Sequence, residues 1–166
     1  KDVPPTVLDR INQLNSLSSG CLAAIERAIR SPLHSELDHR AAQLLGLIDQ
    51  LLPTNTLLPR LTAIGQVPLS PAIRDIHHDH LLFTGDELTG LIDFGAMRLD
   101  TPLTDIARLV GSLLAYDRPL RQSAFDCYHE IRPLCESARN LIDLLDESGL
   151  LLSAVNWLTW LYVERR

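Results

Sequence analysis

Apolar residues recur at helical spacing through the first third of the chain. Positions three or four residues apart fall on one face of a helix, so each repeat predicts an amphipathic helix. The sequence Ser18-Ser19-Gly20 interrupts the first repeat, and Ser31-Pro32 is typical of a helix start, with proline in the first turn. We therefore expect residues 1–66 to form a helical segment. The repeats cover residues 7–17, 22–29, 33–52 and, more briefly, 57–64.

The pattern changes to short apolar runs in the middle of the chain. Residues 69–74 are short enough for a single strand, and two further runs at 81–84 and 88–92 lie on either side of Gly85-Asp86-Glu87. Two apolar runs around a glycine-containing turn predict a β-hairpin. We expect residues 67–98 to contain this hairpin and the loop that precedes it.

Helical spacing returns in the last third. We expect residues 99–166 to be helical, with a bend or break near Pro133. Helices before and after one small hairpin predict an α+β fold that is mostly helical and has little sheet. The repeats lie at 103–114, 118–136, 141–145 and 150–163.

Composition excludes several classes of protein. A length of 166 residues suits one domain, and 46% hydrophobic residues argue against intrinsic disorder. The formal net charge of −6 argues against a nucleic-acid partner bound through a broad basic surface. The sequence contains no uncharged apolar run near the roughly 20 residues that span a bilayer, so we expect no membrane partner.

The cysteines and the first residues add two expectations. Cys21, Cys127 and Cys135 form no closely spaced pair, which disfavours a zinc site or a disulfide framework and favours buried thiols in a reducing cytoplasm. The chain begins with Lys1, and the residues that follow lack the apolar core of a signal peptide. We expect a processed product or a piece of a longer chain.

The polar residues that carry chemistry lie around the predicted hairpin. Asp75 and Asp93 flank it, and because a hairpin brings its two ends together, we expect these carboxylates to lie within several ångström of each other. One acid can orient and deprotonate a hydroxyl, and the other can bind Mg²⁺, which prefers oxygen ligands. Phosphoryl transfer needs this arrangement. His80 follows Asp75 by five residues, and Asp93-Phe94-Gly95 is a DFG triplet.

On these residues the chain resembles the C-terminal lobe of the aminoglycoside phosphotransferase and choline kinase-like family, which has the protein-kinase-like fold. The resemblance covers residues 73–107, because Asp100-Thr101-Pro102-Leu103-Thr104-Asp105-Ile106-Ala107 is similar to a segment that follows the DFG triplet in that family. The matching positions before it are Asp75, Ile76, His77, Leu81, Leu82, Phe83, Ile92, Asp93, Phe94 and Gly95.

The resemblance implies transfer of the γ-phosphoryl group of ATP to a hydroxyl of a small molecule in the cytoplasm, with Mg²⁺ as cofactor. Asp75 would be the catalytic base. Asp93 would bind Mg²⁺ and through it the ATP phosphates, and His80 would occupy the place of a second metal ligand. Asp105 would brace the catalytic loop through backbone N–H groups, with His77 and Arg74 as further structural support.

Three departures from the family pattern matter. Ile73 and Arg74 replace a histidine and a glycine, and His80 replaces an asparagine, so that a nitrogen stands where Mg²⁺ favours oxygen. The sequence has no glycine-rich loop, and Lys1 is its one lysine. We therefore expect the N-terminal ATP-binding lobe to be absent from this chain, with residues 1–166 forming a single C-terminal lobe that has little activity in isolation.

Alternatives remain at this stage. The departures also fit a degenerate kinase-like module that binds without turnover. A metal-dependent hydrolase would use the cluster of residues 77–80, although consecutive residues on an extended segment point to opposite faces. Arg74 could contact an activating group, and an ion pair with a nearby acid is an equal alternative. The sequence does not identify the acceptor.

Overall fold

A computed structural model describes residues 1–29, 35–52, 56–115 and 117–166. Contacts between residues divide the chain into two compact units, one of residues 1–7 and 64–146 and the other of residues 8–63 and 147–166. We call them the loop unit and the helical unit. The elements are α1 (Pro5–Ser16), α2 (Leu22–Ile29), α3 (Glu36–Leu51), α4 (Leu57–Thr62), β1 (Ser70–Ala72), β2 (Leu81–Thr84), β3 (Glu87–Leu91), β4 (Arg98–Asp100), α5 (Leu103–Leu114), α6 (Arg118–Ile131) and α7 (Glu136–Leu158).

The helical unit follows the predicted repeats closely. Its first two helices meet at a short π-helical turn, where Gly20 adopts a φ of 112°, a conformation that glycine reaches without steric cost. The interruption predicted at Ser18-Ser19-Gly20 is thus confirmed. The start predicted at Ser31-Pro32 lies outside the described residues. Helix α3 begins after Ser35, whose side chain and that of Asp38 form a reciprocal capping box.

The core of the helical unit is aliphatic. Helix α2 packs against α3 and against the π-helical turn Thr159–Val163 that follows α7, and the apolar spacing of these helices predicts such buried faces. Near the C-terminus the Tyr162 hydroxyl donates a hydrogen bond to Asp38 Oδ1 at 2.9 Å. The buried residues include Leu14, Leu17, Ile25, Ile29, Ala41, Leu45, Ile48, Leu57, Leu61, Leu152, Val155 and Leu158.

Helix α7 is continuous where the apolar pattern shows two separate stretches. Gly149 lies inside it, and a Cβ there would approach the Arg10 guanidinium to 3.3 Å. Arg10 also donates a hydrogen bond to the Ser148 side chain. A glycine is therefore suited to this position because it leaves room for the arginine, even though glycine lowers helix propensity.

The loop unit contains two small antiparallel sheets. Strands β2 and β3 form the predicted hairpin, with Leu81 opposite Leu91 and an irregularity in register after Leu82. Strand β1 lies within the predicted stretch 69–74 and pairs with β4, which the sequence did not predict. Three residues are too short to show the alternation by which a strand is recognised.

Helices α5, α6 and the first half of α7 complete the loop unit. Helix α6 ends two residues before Pro133, in agreement with the predicted break. The prediction of a mostly helical α+β fold is confirmed. No helix among the described residues combines the length and apolarity that crossing a bilayer requires.

The prediction of buried thiols is wrong for two of the three cysteines. All three are free, but Cys127 and Cys135 are exposed and Cys21 is half-buried. Cys127 is on α6 and Cys135 lies just before α7, at positions that face solvent. Hydrogen bonding to Ser137 lowers the pKa of the Cys135 thiol.

We predict that the pKa of Tyr162 lies above the ordinary tyrosine value. Burial and the hydrogen bond to Asp38 raise it. A raised pKa in the folded state gives a stabilising contribution that is complete below about pH 10 and is lost as pH rises through the folded pKa. Absorbance at 295 nm follows the titration. Tyr162→Phe should remove a phenol that ionises above the ordinary tyrosine range, and Asp38→Asn should lower the pKa of Tyr162. An unchanged curve in Tyr162→Phe would contradict the assignment.

Candidate functional site

The loop after β1 is anchored to the first turn of α5. The Asp105 carboxylate accepts two backbone hydrogen bonds, from Ile73 N–H to Oδ2 at 2.8 Å and from Arg74 N–H to Oδ1 at 2.7 Å. Both are short, as expected when the acceptor is charged. A single side chain thus fixes the two residues that precede Asp75.

The same face of α5 contacts the loop twice more. Arg108 Nη2 lies 3.0 Å from Asp75 Oδ1, and the Ser112 hydroxyl accepts a hydrogen bond from His78 N–H at 3.1 Å. Residues three, four or seven positions apart lie on one side of a helix, so Asp105, Arg108 and Ser112 form a line. This line on α5 positions the loop from residue 73 to residue 78.

Arg74 is fixed at both its backbone and its side chain. Its φ is 68°, a left-handed conformation that costs a residue with a side chain about 1–3 kcal/mol. Its Nε lies 3.1 Å from Oδ2 of the fully buried Asp100, and the Thr6 hydroxyl donates to the same oxygen at 2.6 Å. Of the two alternatives for Arg74, the structure shows the ion pair with a nearby acid.

Asp93 and His80 meet at the open end of the hairpin. Ile92 N–H donates to the carbonyl of His80 at 3.1 Å, which places the next residue, Asp93, beside the histidine. Asp93 has a φ of 62°, and its Oδ1 accepts a hydrogen bond from Gly95 N–H at 3.3 Å. Its Oδ2 lies 3.8 Å from His80 Nε2. The structure therefore brings together the two residues for which a metal-binding role is implied.

The backbone turns directly after His77, which is itself extended. His80 N–H donates to the His77 carbonyl at 2.9 Å and closes a 3₁₀ turn over His78–His80. The rings of His77 and His80 are in contact, with centroids 3.7 Å apart and ring planes tilted by 42°. The turn also brings one donor atom each of His77, His78 and Asp79 within 4.8 Å of one another, which an extended segment would not allow.

The donor set at His80 and Asp93 is only half suited to Mg²⁺. The Asp93 carboxylate offers the oxygen that Mg²⁺ prefers, whereas His80 offers an imidazole nitrogen. Imidazole is a ligand for zinc, copper, iron and nickel rather than for magnesium. The pair as a whole does not fit Mg²⁺.

Sequence reasoning missed Arg108 and Ser112. It also missed the buried Asp100, which binds Arg74 and Thr6. Arg108 and Ser112 carried a signal, since they follow Asp105 at helical spacing and so share the face that braces the loop. Asp100 carried no such signal in the sequence. Its partner Thr6 is 94 residues away in the chain, and only the folded structure brings the two together. The separation of Asp75 from Asp93 stays a prediction.

Comparison with known proteins identifies the family. The model of the phosphotransferase enzyme family matches residues 16–134, which is most of the chain. A homoserine kinase from Janthinobacterium sp. (strain Marseille) is 28% identical over 103 residues, covering 58% of this chain and 31% of the relative. The chain thus spans less than a third of that relative's length, and no solved structure matches. The predicted family resemblance is confirmed, and the chain belongs to the phosphotransferase enzyme family.

Proposed function

We propose that the protein containing this chain transfers the γ-phosphoryl group of ATP to a hydroxyl of a small molecule. The observation that carries the proposal is the anchored loop. Asp105 and Arg108 fix the segment that bears Asp75, and the hairpin presents Asp93 at its open end. Phosphoryl transfer depends mainly on positioning and electrostatic stabilisation, for which such fixed carboxylates are suited.

Asp75 acts as the general base in this proposal. The bond from the γ-phosphorus to the ADP oxygen breaks, a new bond forms to the acceptor oxygen, and Asp75 takes the hydroxyl proton. Arg108 binds Oδ1 of the Asp75 carboxylate. In this proposal Arg108 orients the carboxylate, and Oδ2 would take the acceptor proton.

Asp93 would bind a divalent cation, which neutralises charge on the ATP phosphates when bound. Asp105 is a positioning residue, since it acts through the backbone of the loop. The acceptor is a small hydroxyl compound, and homoserine is the first to test because a relative of this chain is a homoserine kinase. The use of ATP implies a cytoplasmic reaction.

A second lobe that binds ATP would complete the site. The hairpin and the DFG region expose many apolar side chains, and contiguous exposed apolar surface marks an interaction site. A two-stranded hairpin is also marginally stable unless something packs on it. We infer that this surface contacts an N-terminal lobe in the full-length protein. The exposed residues are Leu82, Phe83, Leu88, Leu91, Ile92, Phe94, Met97 and Leu99.

The second candidate is a kinase-like module that binds without turnover. Two observations favour it. Arg108 pairs with the proposed base, and His80 replaces an oxygen ligand by nitrogen. An ATP-using enzyme must bind ATP, so the absence of any ATP-dependent stabilisation would favour such a module.

We predict that ATP raises the melting temperature of the full-length protein only when a divalent cation is present, with Mg²⁺ and Mn²⁺ tested in parallel. Asp93→Asn should abolish the shift, because it removes the charged cation ligand. Thermal shift assays measure both effects. If ATP produces no shift with either cation, the nucleotide-using function is wrong and the binding module becomes the better interpretation.

We predict that Asp75→Asn lowers kcat about 10²- to 10⁴-fold, which is the usual contribution of a general base. KM for ATP should change little. Phosphorylation of homoserine and other small hydroxyl compounds gives the readout. Asp86→Asn is the matched control, because Asp86 is an exposed acid in the hairpin turn and should leave kcat unchanged. Equal losses in both variants would exclude Asp75 as the base.

We predict that Phe83→Ser destabilises the full-length protein by more than about 2 kcal/mol, because a residue covered by a second lobe loses buried contacts. Without that lobe, the loss is limited to the cross-strand pair with Leu88, at most about 1 kcal/mol. Ile131→Ser is the control, since Ile131 is 89% exposed and its replacement should cost no more than about 0.5 kcal/mol. Urea unfolding measures both. A cost for Phe83→Ser as small as the control's would argue against a covering lobe.

A further inference from the structure

His80 lacks the hydrogen bonds that a mostly buried imidazole normally makes. Its side chain is 11% exposed, and its Nδ1 is buried without a hydrogen-bond partner among the described residues. Its Nε2 faces Asp93 Oδ2 across 3.8 Å. A direct N–H···O hydrogen bond requires about 2.7–3.2 Å, so this gap is too wide for one. His80 Nε2 and Asp93 Oδ2 therefore face each other without a direct hydrogen bond.

The gap between His80 and Asp93 has the width that a shared metal ion needs. With metal–ligand bonds of about 2.1 Å, donors at a right angle lie about 3.0 Å apart and donors on opposite sides about 4.2 Å apart. The observed 3.8 Å falls between these limits. The hairpin backbone fixes the spacing, because Ile92 N–H binds the His80 carbonyl directly before Asp93.

The position of the histidine ring is also fixed. The His77 ring contacts it at a tilt of 42°, with centroids 3.7 Å apart. The 3₁₀ turn that ends at His80 is hydrogen-bonded to Ser112 of α5 through His78 N–H. A ligand that is oriented before the ion arrives loses less conformational freedom on binding. Imidazole nitrogen together with carboxylate oxygen is a donor set for transition ions rather than for Mg²⁺.

We propose that His80 and Asp93 bind a divalent transition-metal ion, through Nε2 and Oδ2, in preference to Mg²⁺. The part of such an ion in phosphoryl transfer rests on the proposed function, whereas its binding does not. The nearest competing ligands are His77, His78 and Asp79, with donor atoms within 4.8 Å of one another. These are more exposed than His80, and Asp79 is already paired with both histidines.

The test uses Co²⁺ and the full-length protein without nucleotide. Co²⁺ gives visible absorption bands when nitrogen and oxygen side chains replace its water, and titration of these bands gives an affinity. We expect the wild type to bind Co²⁺ and to be stabilised more by Co²⁺ than by Mg²⁺ in a thermal shift assay. His80→Asn should weaken Co²⁺ binding by more than about tenfold, since even loss of a residue that only supports a ligand costs about 10- to 100-fold. The same variant should narrow the difference in stabilisation between Co²⁺ and Mg²⁺, because it removes the nitrogen ligand.

Matched variants locate the ion. Asp93→Asn should weaken Co²⁺ binding as His80→Asn does, whereas His78→Ala and Asp79→Asn should leave it unchanged. Loss of the bands in His78→Ala or Asp79→Asn alone would place the ion on the neighbouring cluster and overturn the proposal. Equal stabilisation by Mg²⁺ and Co²⁺, or no Co²⁺ binding at all, would also overturn it. Because these measurements contain no ATP, such a failure leaves the ATP-dependent shift as a separate test of the proposed function.

Discussion

The local structure of the candidate site depends on the Asp105 carboxylate and the two backbone N–H groups that it binds. Without that acceptor, Ile73 and Arg74 would have to find other partners for their N–H groups, and the left-handed conformation of Arg74 would lose its support. A carboxylate with two oxygens can satisfy adjacent amides at once, which a neutral side chain does less well. The position of Asp75 follows from this bond, because it is the next residue.

Two left-handed residues mark the site, and each is supported differently. Arg74 is constrained from outside its own segment, by Asp105 on α5 and by the buried Asp100 at the end of β4. Asp93 is supported locally, by the hairpin ladder before it and by Gly95 N–H after it. Left-handed residues with side chains persist only where the surroundings determine them, and they concentrate at functional sites. Arg74 directly precedes the proposed base Asp75, and Asp93 itself carries the proposed metal-binding carboxylate.

At position 80 the backbone and the side chain have separate effects on the proposed metal site. The hairpin places residue 80 beside residue 93 through a backbone bond, whatever the side chain at position 80 is. The backbone therefore determines that two donors meet, and the side chain determines which ion suits them. The 3.8 Å separation of His80 Nε2 from Asp93 Oδ2 is consistent with two donors that share an ion.

The sequence by itself determined the helices, the hairpin and the family, because these depend on local periodicity, on turn residues and on spacing within about 30 residues. It also placed Asp75, Asp93 and Asp105 in order along the chain. Only the tertiary structure decided what holds the loop in place. Arg108 and Ser112 of α5 bind it, and β1 pairs with the short β4. Arg74 is bound to the buried Asp100, which also accepts a hydrogen bond from Thr6. Helical spacing places Arg108 and Ser112 on one face with Asp105, but it does not say what that face contacts. A contact such as Thr6 with Asp100 leaves no periodic signal at all, since it arises from the packing of whole elements.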